Sequence, residues 1–193
     1  MKKLSVLILI LVSFNSCNDA KETDSNINKI KIDFLNNYIF LPKEYNKISF
    51  NDYEKKILEV DSTNALRKIA GLEELKNKGN ISIFADTNDV TNTVYLMSSG
   101  DYLPINKNTA SLYGSIIAQQ LESKGRDYKI LQNKVSSNSV IKFIKLKTII
   151  VNENDKNYFM TQYLISGNLK TFLIVVNSHI DKDFEDLVKM IKL

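Results

Sequence analysis

The chain has 193 residues, 44% hydrophobic and 25% charged, with a formal net charge of +4, one cysteine, one histidine and no tryptophan. A chain of this length buries a full core in one ordinary domain without disulfide or metal staples, and a lone cysteine excludes an internal disulfide framework. Half of the positive excess comes from Lys2 and Lys3, so net charge gives no ground for a nucleic-acid partner.

The first element is a leader. Lys2 and Lys3 precede an apolar run from Leu4 to Val12 broken only by Ser5. The run is far shorter than the roughly 20 residues that span a bilayer, and it has the length of a signal-peptide hydrophobic region. Ser13-Phe14-Asn15-Ser16-Cys17 follows. This segment resembles a lipobox, although Phe14 and Asn15 depart from the usual aliphatic and small residues. The resemblance implies a lipoprotein signal peptide over 1–16, cleavage before Cys17 and acylation of its thiol by palmitate-like chains. The lipid bilayer is then a partner through acylated Cys17. One acyl chain holds only marginally at about 0.8 kcal/mol per buried methylene, but the two or three of a lipoprotein hold durably. The alternative is an ordinary secretory leader with an incidental cysteine. Asn18, where an aspartate would resemble an inner-membrane retention signal, leans the location towards the outer membrane, with the periplasmic and surface faces both open.

Asn18 to Asn26 is almost wholly polar and cannot bury enough surface to offset the entropy of ordering. Residues 17–29 therefore read as the lipidated cysteine and a flexible tether, reaching roughly 20 Å as a coil. Residues 30–193 read as a single α+β domain.

Within the domain, Tyr38-Ile39-Phe40-Leu41 before Pro42 predicts a strand that stops at the proline. Ser49, with Asp52 three residues on, predicts a helix start carrying Phe50, Tyr53 and Ile57 on one face. Asp61-Ser62 begins a second helical pattern through Leu66, Ile69, Ala70 and Leu75, interrupted by Gly71 and ended by Gly79-Asn80. Residues 81–84 and 93–97 predict a hairpin around the polar turn 86–92. Asn108 is the expected cap of the clearest helix, with Leu112, Tyr113, Ile116, Ile117 and Leu121 as its apolar stripe and Gly125 as its stop.

Four strands follow, near 127–135, 139–151, 157–166 and 170–177. The short turns between them demand antiparallel pairing. Phe172-Leu173-Ile174-Val175-Val176 is apolar on both faces and predicts a central strand covered on both sides. A closing helix carries Phe184, Leu187, Val188 and Ile191 inward, with Asp181 and Asp183 at its positive end and Lys189 and Lys192 at its negative end. The expected fold class is α+β, with a central antiparallel sheet of about six or seven strands and helices on both faces.

Leu41-Pro42-x-x-Tyr45, the late meander ending in Asn177-Ser178, and the helix Asp183 to Leu193 together resemble the PsbP-like fold. The similarity covers about residues 35–45 and 127–193. It implies an α/β/α sandwich, of the kind found in photosystem accessory proteins, bacterial envelope lipoproteins and effector chaperones. It implies binding or assembly more than catalysis, and supplies no catalytic residue.

The residues offer no catalytic set. His179 stands alone, without a Gly-x-Ser-x-Gly nucleophile turn, and cannot build a typical zinc site by itself. Asp181, Asp183, Glu185 and Asp186 lack the glycine of a calcium loop and suit a helix start. Asp86, Asn88 and Asp89 suit a turn. Lys142, Lys145 and Lys147 with Phe143 form a basic strand with a single aromatic, short of a nucleic-acid platform. It reads as a solvated face or as lysines blocking edge pairing, with contact to anionic headgroups as a further alternative. No cofactor or metal is expected.

The loop Gly100 to Ile105 remains, with Tyr102, Leu103 and Ile105 as a candidate partner-binding loop, because exposed apolar loop residues tend to mark interaction sites. The alternative is packing beneath the long helix. The function expected is non-catalytic binding or assembly on the envelope, with another envelope protein as partner. The alternatives are a carrier of a small apolar ligand or lipid, or a hydrolase with a dispersed site.

Overall fold

The computed structural model describes residues 26–60, 81–151 and 157–193, together with Ile69, Glu73 and Lys76. Cys17, the rest of the leader, most of the second helical pattern and the 152–155 turn lie outside the described residues.

The chain opens with β1 (Ile27–Ile32), a 3-10 turn at Asp33–Leu35, and β2 (Asn37–Pro42), which pairs back on β1 as an antiparallel ribbon. β1 therefore starts inside the stretch read as tether, three residues ahead of the expected domain boundary at 30. Its alternating isoleucines pair across β2, and Ile32 is buried with Ile39 and Leu41. β3 (Tyr45–Ile48) leads into α1 (Phe50–Val60), capped as the sequence indicates. The Asp52 amide donates to Ser49 Oγ at 3.1 Å, and the hydroxyl returns a bond to the Asp52 carboxylate at 2.6 Å. Tyr53 and Ile57 form its buried face.

β4 (Ile81–Asp86) and β5 (Thr93–Ser98) form the expected hairpin. α2 (Lys107–Ser123) then carries the chain to the opposite edge of the sheet, where β6 (Tyr128–Ser137) begins a meander through β7 (Lys142–Ile150), β8 (Tyr158–Gly167) and β9 (Lys170–Ser178). The final strand inserts beside β5. The seven-stranded sheet runs β3-β4-β5-β9-β8-β7-β6, and each adjacent pair is antiparallel. β9 is thus the middle strand, as its two-faced apolar sequence requires.

The two faces bury different partners. Phe84, Leu96, Phe143, Tyr163 and Ile174 pack against the β1–β2 ribbon and against Phe184, Val188 and Ile191 of the C-terminal segment. On the opposite face, Ile83 and Ala85 meet Tyr53 and Ile57 of α1. There Ile144 and Leu164 also meet Ala110, and Leu146 and Ile150 meet Ile117 and Leu121 of α2. The helical layer expected on each face takes another form on the ribbon side. Its cover among the described residues is chiefly β1–β2 with the 3-10 turn between them, and the α-helix described there is the short α3 (Glu185–Lys189). No helix among the described residues is long and apolar enough to cross a membrane.

Two details of α2 differ from the periodicity reading. Its cap is Asn106, whose side chain accepts from the Thr109 amide at 3.0 Å, rather than Asn108. Leu112 and Ile116 point to solvent, and the buried face runs instead through Ala110, Gly114, Ile117 and Leu121. Gly114 sets that rotation. An added β-carbon there would sit 2.5 Å from Asn133 Nδ2, which itself bonds the Ala110 carbonyl at 2.9 Å. The helix therefore lies close on β6 along this line.

Candidate functional site

The loop from Ser99 to Asn106 crosses the end of the sheet where β5 finishes and β9 begins. Its backbone is fastened there. The Leu103 amide donates to Thr171 Oγ1 at 2.7 Å, and the Leu103 carbonyl accepts from Ser166 Oγ at 2.6 Å. Those two hydroxyls bond each other at 2.7 Å, and Ser166 and Thr171 face one another across β8 and β9. Ser99 Oγ bridges the carbonyls of Thr171 and Asp101. These bonds fasten the loop's backbone to the sheet at Ser99 and Leu103.

The three candidate residues separate. Ile105 is 6% exposed and packs with Ala110, Ile144 and Leu164, so it anchors the loop and is not available to a partner. Tyr102 and Leu103 are 50% and 40% exposed and face outward. Ile105 thus packs beneath α2, while Tyr102 and Leu103 remain exposed.

Periodicity did not reveal a second apolar group at this end. The β8–β9 hairpin turns on Asn168 and Leu169, at φ 45° and 58°. A two-residue turn with both residues left-handed favours Asn-Gly, and an L-residue other than glycine bears about 1–2 kcal/mol there. Leu169 is nevertheless 80% exposed. Val140, also exposed, lies alongside, since its carbonyl would stand 2.9 Å from a β-carbon built on Gly167. The one sequence signal was a leucine where the turn calls for glycine.

Lys145 and Lys147 of the basic strand form ion pairs with the acidic cluster, and Lys142 stays exposed. Lys145 is 2% exposed and bonds the Asp183 carboxylate and Glu185 Oε2, the latter at 3.0 Å. Lys147 meets Asp181 at 2.5 Å, and Lys134 and Lys189 reach Glu185 at 2.8 and 3.1 Å. Tyr163 donates to Asp183 at 2.8 Å and accepts from the Phe184 amide. Burial alone would raise both carboxyls, but bonds from Lys145 and Tyr163 hold Asp183 at about 2. Bonds from Lys134, Lys145 and Lys189 likewise hold Glu185 at about 2. Burial and the bond to Asp183 push the Tyr163 hydroxyl up. The basic strand and the acidic cluster thus form a clasp fixing the C-terminal segment to the ribbon face. The closing helix is shorter than expected: residues 181–184 are non-helical, and three of the four acids pair with strand lysines.

A second clasp joins Lys182 to Asp86 at 2.9 Å and to the Tyr45 hydroxyl at 3.0 Å. The Asp86–Asn92 turn is built from its own side chains. Asp86 accepts from the Asn88 amide, and Asp89 from the Thr91 amide and hydroxyl and from Asn92. His179 follows β9, with its amide on Asn92 Oδ1 and its ring edge-on to Tyr158 at 5.8 Å. Its Nδ1 has no partner among the described residues. No group of three or more His, Cys, Asp and Glu suited to a metal occurs among the described residues.

Two small clefts lie on the surface of the described residues. One, of about 180 Å³, lies between Leu35, Asn36, Asn37, Asn168, Lys170 and Leu193. The other, of about 130 Å³, lies beside Lys31, Asp33, Phe34, Lys47 and Ser82. Both fall short of the roughly 300–1,000 Å³ of typical ligand pockets and have largely polar linings.

No protein-family model matches the chain, and no curated protein matches it. Among solved structures it is similar to the solution structure of cyanobacterial PsbP (CyanoP) from Synechocystis sp. PCC 6803. The two share 10% identity over 90% of each chain, with a TM-score of 0.51. At that identity the likeness shows the fold alone, and the fold is PsbP-like.

Proposed function

We propose that this chain is an envelope lipoprotein, acylated at Cys17 and held at the outer membrane, whose PsbP-like domain binds another envelope protein and catalyses no reaction. The observation that carries this reading is the loop around Tyr102 and Leu103. Its backbone is fixed by Ser99, Ser166 and Thr171 while two large apolar side chains remain outside. A surface ordered before contact loses little entropy on binding. The ion-pair clasps support the same reading, because Lys145, Asp183 and Glu185 are already engaged with one another. The alternative of a carrier for an apolar ligand gains no support from small, polar clefts.

The test is fractionation of cells expressing the chain and a Cys17→Ser variant, fed a traceable palmitate analogue. Label and membrane retention should be present in the first and lost in the second. Equal behaviour of the two defeats the anchor. Purification from gentle detergent with cross-linking should recover the native chain in a complex of defined stoichiometry. Recovery of the chain alone defeats the binding role.

A further inference from the structure

The described chain enters the domain at one end of the sheet, and the fixed apolar loop sits at the other. Asn26 accepts from the Lys43 amide at 2.9 Å, and Glu44 accepts from the Thr87 amide at 2.8 Å. Tyr45 pairs with Asp86, so the entry point stands beside the Asp86–Asn92 turn. Ser178 bonds Asn92 at that same end. Leu103 is bonded to Thr171, seven residues back along β9, so about 24 Å of strand at ~3.4 Å per residue separates the ends.

Chain length then orients the molecule. Cys17 to Asn26 spans nine residue steps, a contour of at most about 30 Å. On the lipid-anchor reading above, that contour keeps the Asp86–Asn92 end within about 30 Å of the bilayer that would hold Cys17, while Tyr102 sits at the opposite end. With the strands upright, Tyr102 reaches the same membrane only when about 24 Å of that ~30 Å contour is used.

Tyr102, Leu103, Leu169 and Val140, all exposed, lie at the distal end. Leu103 rests on Ser166 and Thr171, Leu169 sits in the turn those strands share, and Val140 abuts Gly167. Leu169 keeps an unfavourable backbone conformation with its side chain in water, and such outliers cluster at functional surfaces. Lys107 opens α2 directly after the loop and Lys142 pairs with Ser166; both are exposed, with Asp101 as the acid of the same loop. Building on the lipid-anchor reading above, we propose that this membrane-distal end docks an apolar surface rimmed by Asp and Glu on a second envelope protein, and not the lipid bilayer.

The test places a photo-crosslinking amino acid at Leu169, and separately at Ile180 near the entry end, in the full chain in its own membranes. Leu169 should give one discrete protein adduct that Ile180 does not. Lys107→Glu with Lys142→Glu should reduce that adduct roughly tenfold at unchanged membrane abundance, since reversed rim charge opposes encounter with an acidic rim. Adducts with lipid at Leu169, no adduct, or a protein adduct indifferent to the charge reversal each overturn the proposal. Acylation of Cys17 is scored in the same preparation. An unlabelled Cys17 defeats the anchor reading, whereas a labelled Cys17 with any of those three results defeats the docking surface alone.

Discussion

Replacing Glu185 by Gln should change the acid stability of the domain in a defined way. The Glu185 side chain is 13% exposed and bonded by Lys134, Lys145 and Lys189 at 2.8, 3.0 and 3.1 Å. Burial works against its charge, but the three lysines outweigh it and hold the carboxyl at about 2, against an ordinary 4.5. Because the folded state lowers this value, the unfolded chain takes up the proton first as pH falls. The stabilisation is complete above about 4.5 and is lost as pH falls through that value to about 2. Linkage puts Glu185's share at about 3 kcal/mol. Asp183 adds less, because its side chain is 44% exposed and water screens it. The assay is urea unfolding of the protein in detergent micelles at a series of pH values from 7 to 2. Glu185→Gln should lie about 3 kcal/mol below the native chain near neutrality and converge with it near pH 2. Parallel curves, or a variant as stable as the native chain at pH 7, would refute the clasp.

Other substitutions probe separate parts of the structure. Phe143 is fully buried with its ring edge-on to Tyr163, so Phe143→Ala should cost about 3–5 kcal/mol in chemical denaturation. Ile105→Asp should destabilise the fold by several kcal/mol, because it places a carboxylate among Ala110, Ile144 and Leu164. Tyr102→Ala should stay within about 0.5 kcal/mol of the native chain in the same assay. Leu169→Gly should leave stability unchanged or raise it by up to ~1 kcal/mol, as relief of the left-handed leucine offsets glycine's entropy. A melting temperature several degrees lower would show that Leu169 packs.

The parts of the fold legible in the sequence are those set by local chemistry. Ser49 with Asp52 marked the start of α1, the polar turn marked the β4–β5 hairpin, and apolar residues on both faces marked β9 as central. β1 was hidden because Lys29 and Lys31 alternate with its isoleucines inside a polar stretch. β3 was hidden because Asn46 and Lys47 make it read as loop, as befits a short edge strand. The solvent-facing Leu112 and Ile116 widened the apparent stripe of α2, whose true rotation depends on the close approach of Gly114 to Asn133. The clasp could not be read at all. It joins Lys145 to acids 38 and 40 residues away, and only the sheet register brings them together. Of the candidate loop, composition identified its apolar residues, but only the packing of Ile105 separated the anchor from the presenting pair. Leu169 and Val140 joined them through the topology of the sheet end.

Mass spectrometry of the intact chain, extracted from its own membranes in detergent, tests the proposed lipid anchor most directly. The expected mature protein begins at Cys17 and carries the mass of two or three acyl chains on that residue. A chain with a free Cys17 thiol, or one cleaved elsewhere without lipid, contradicts it.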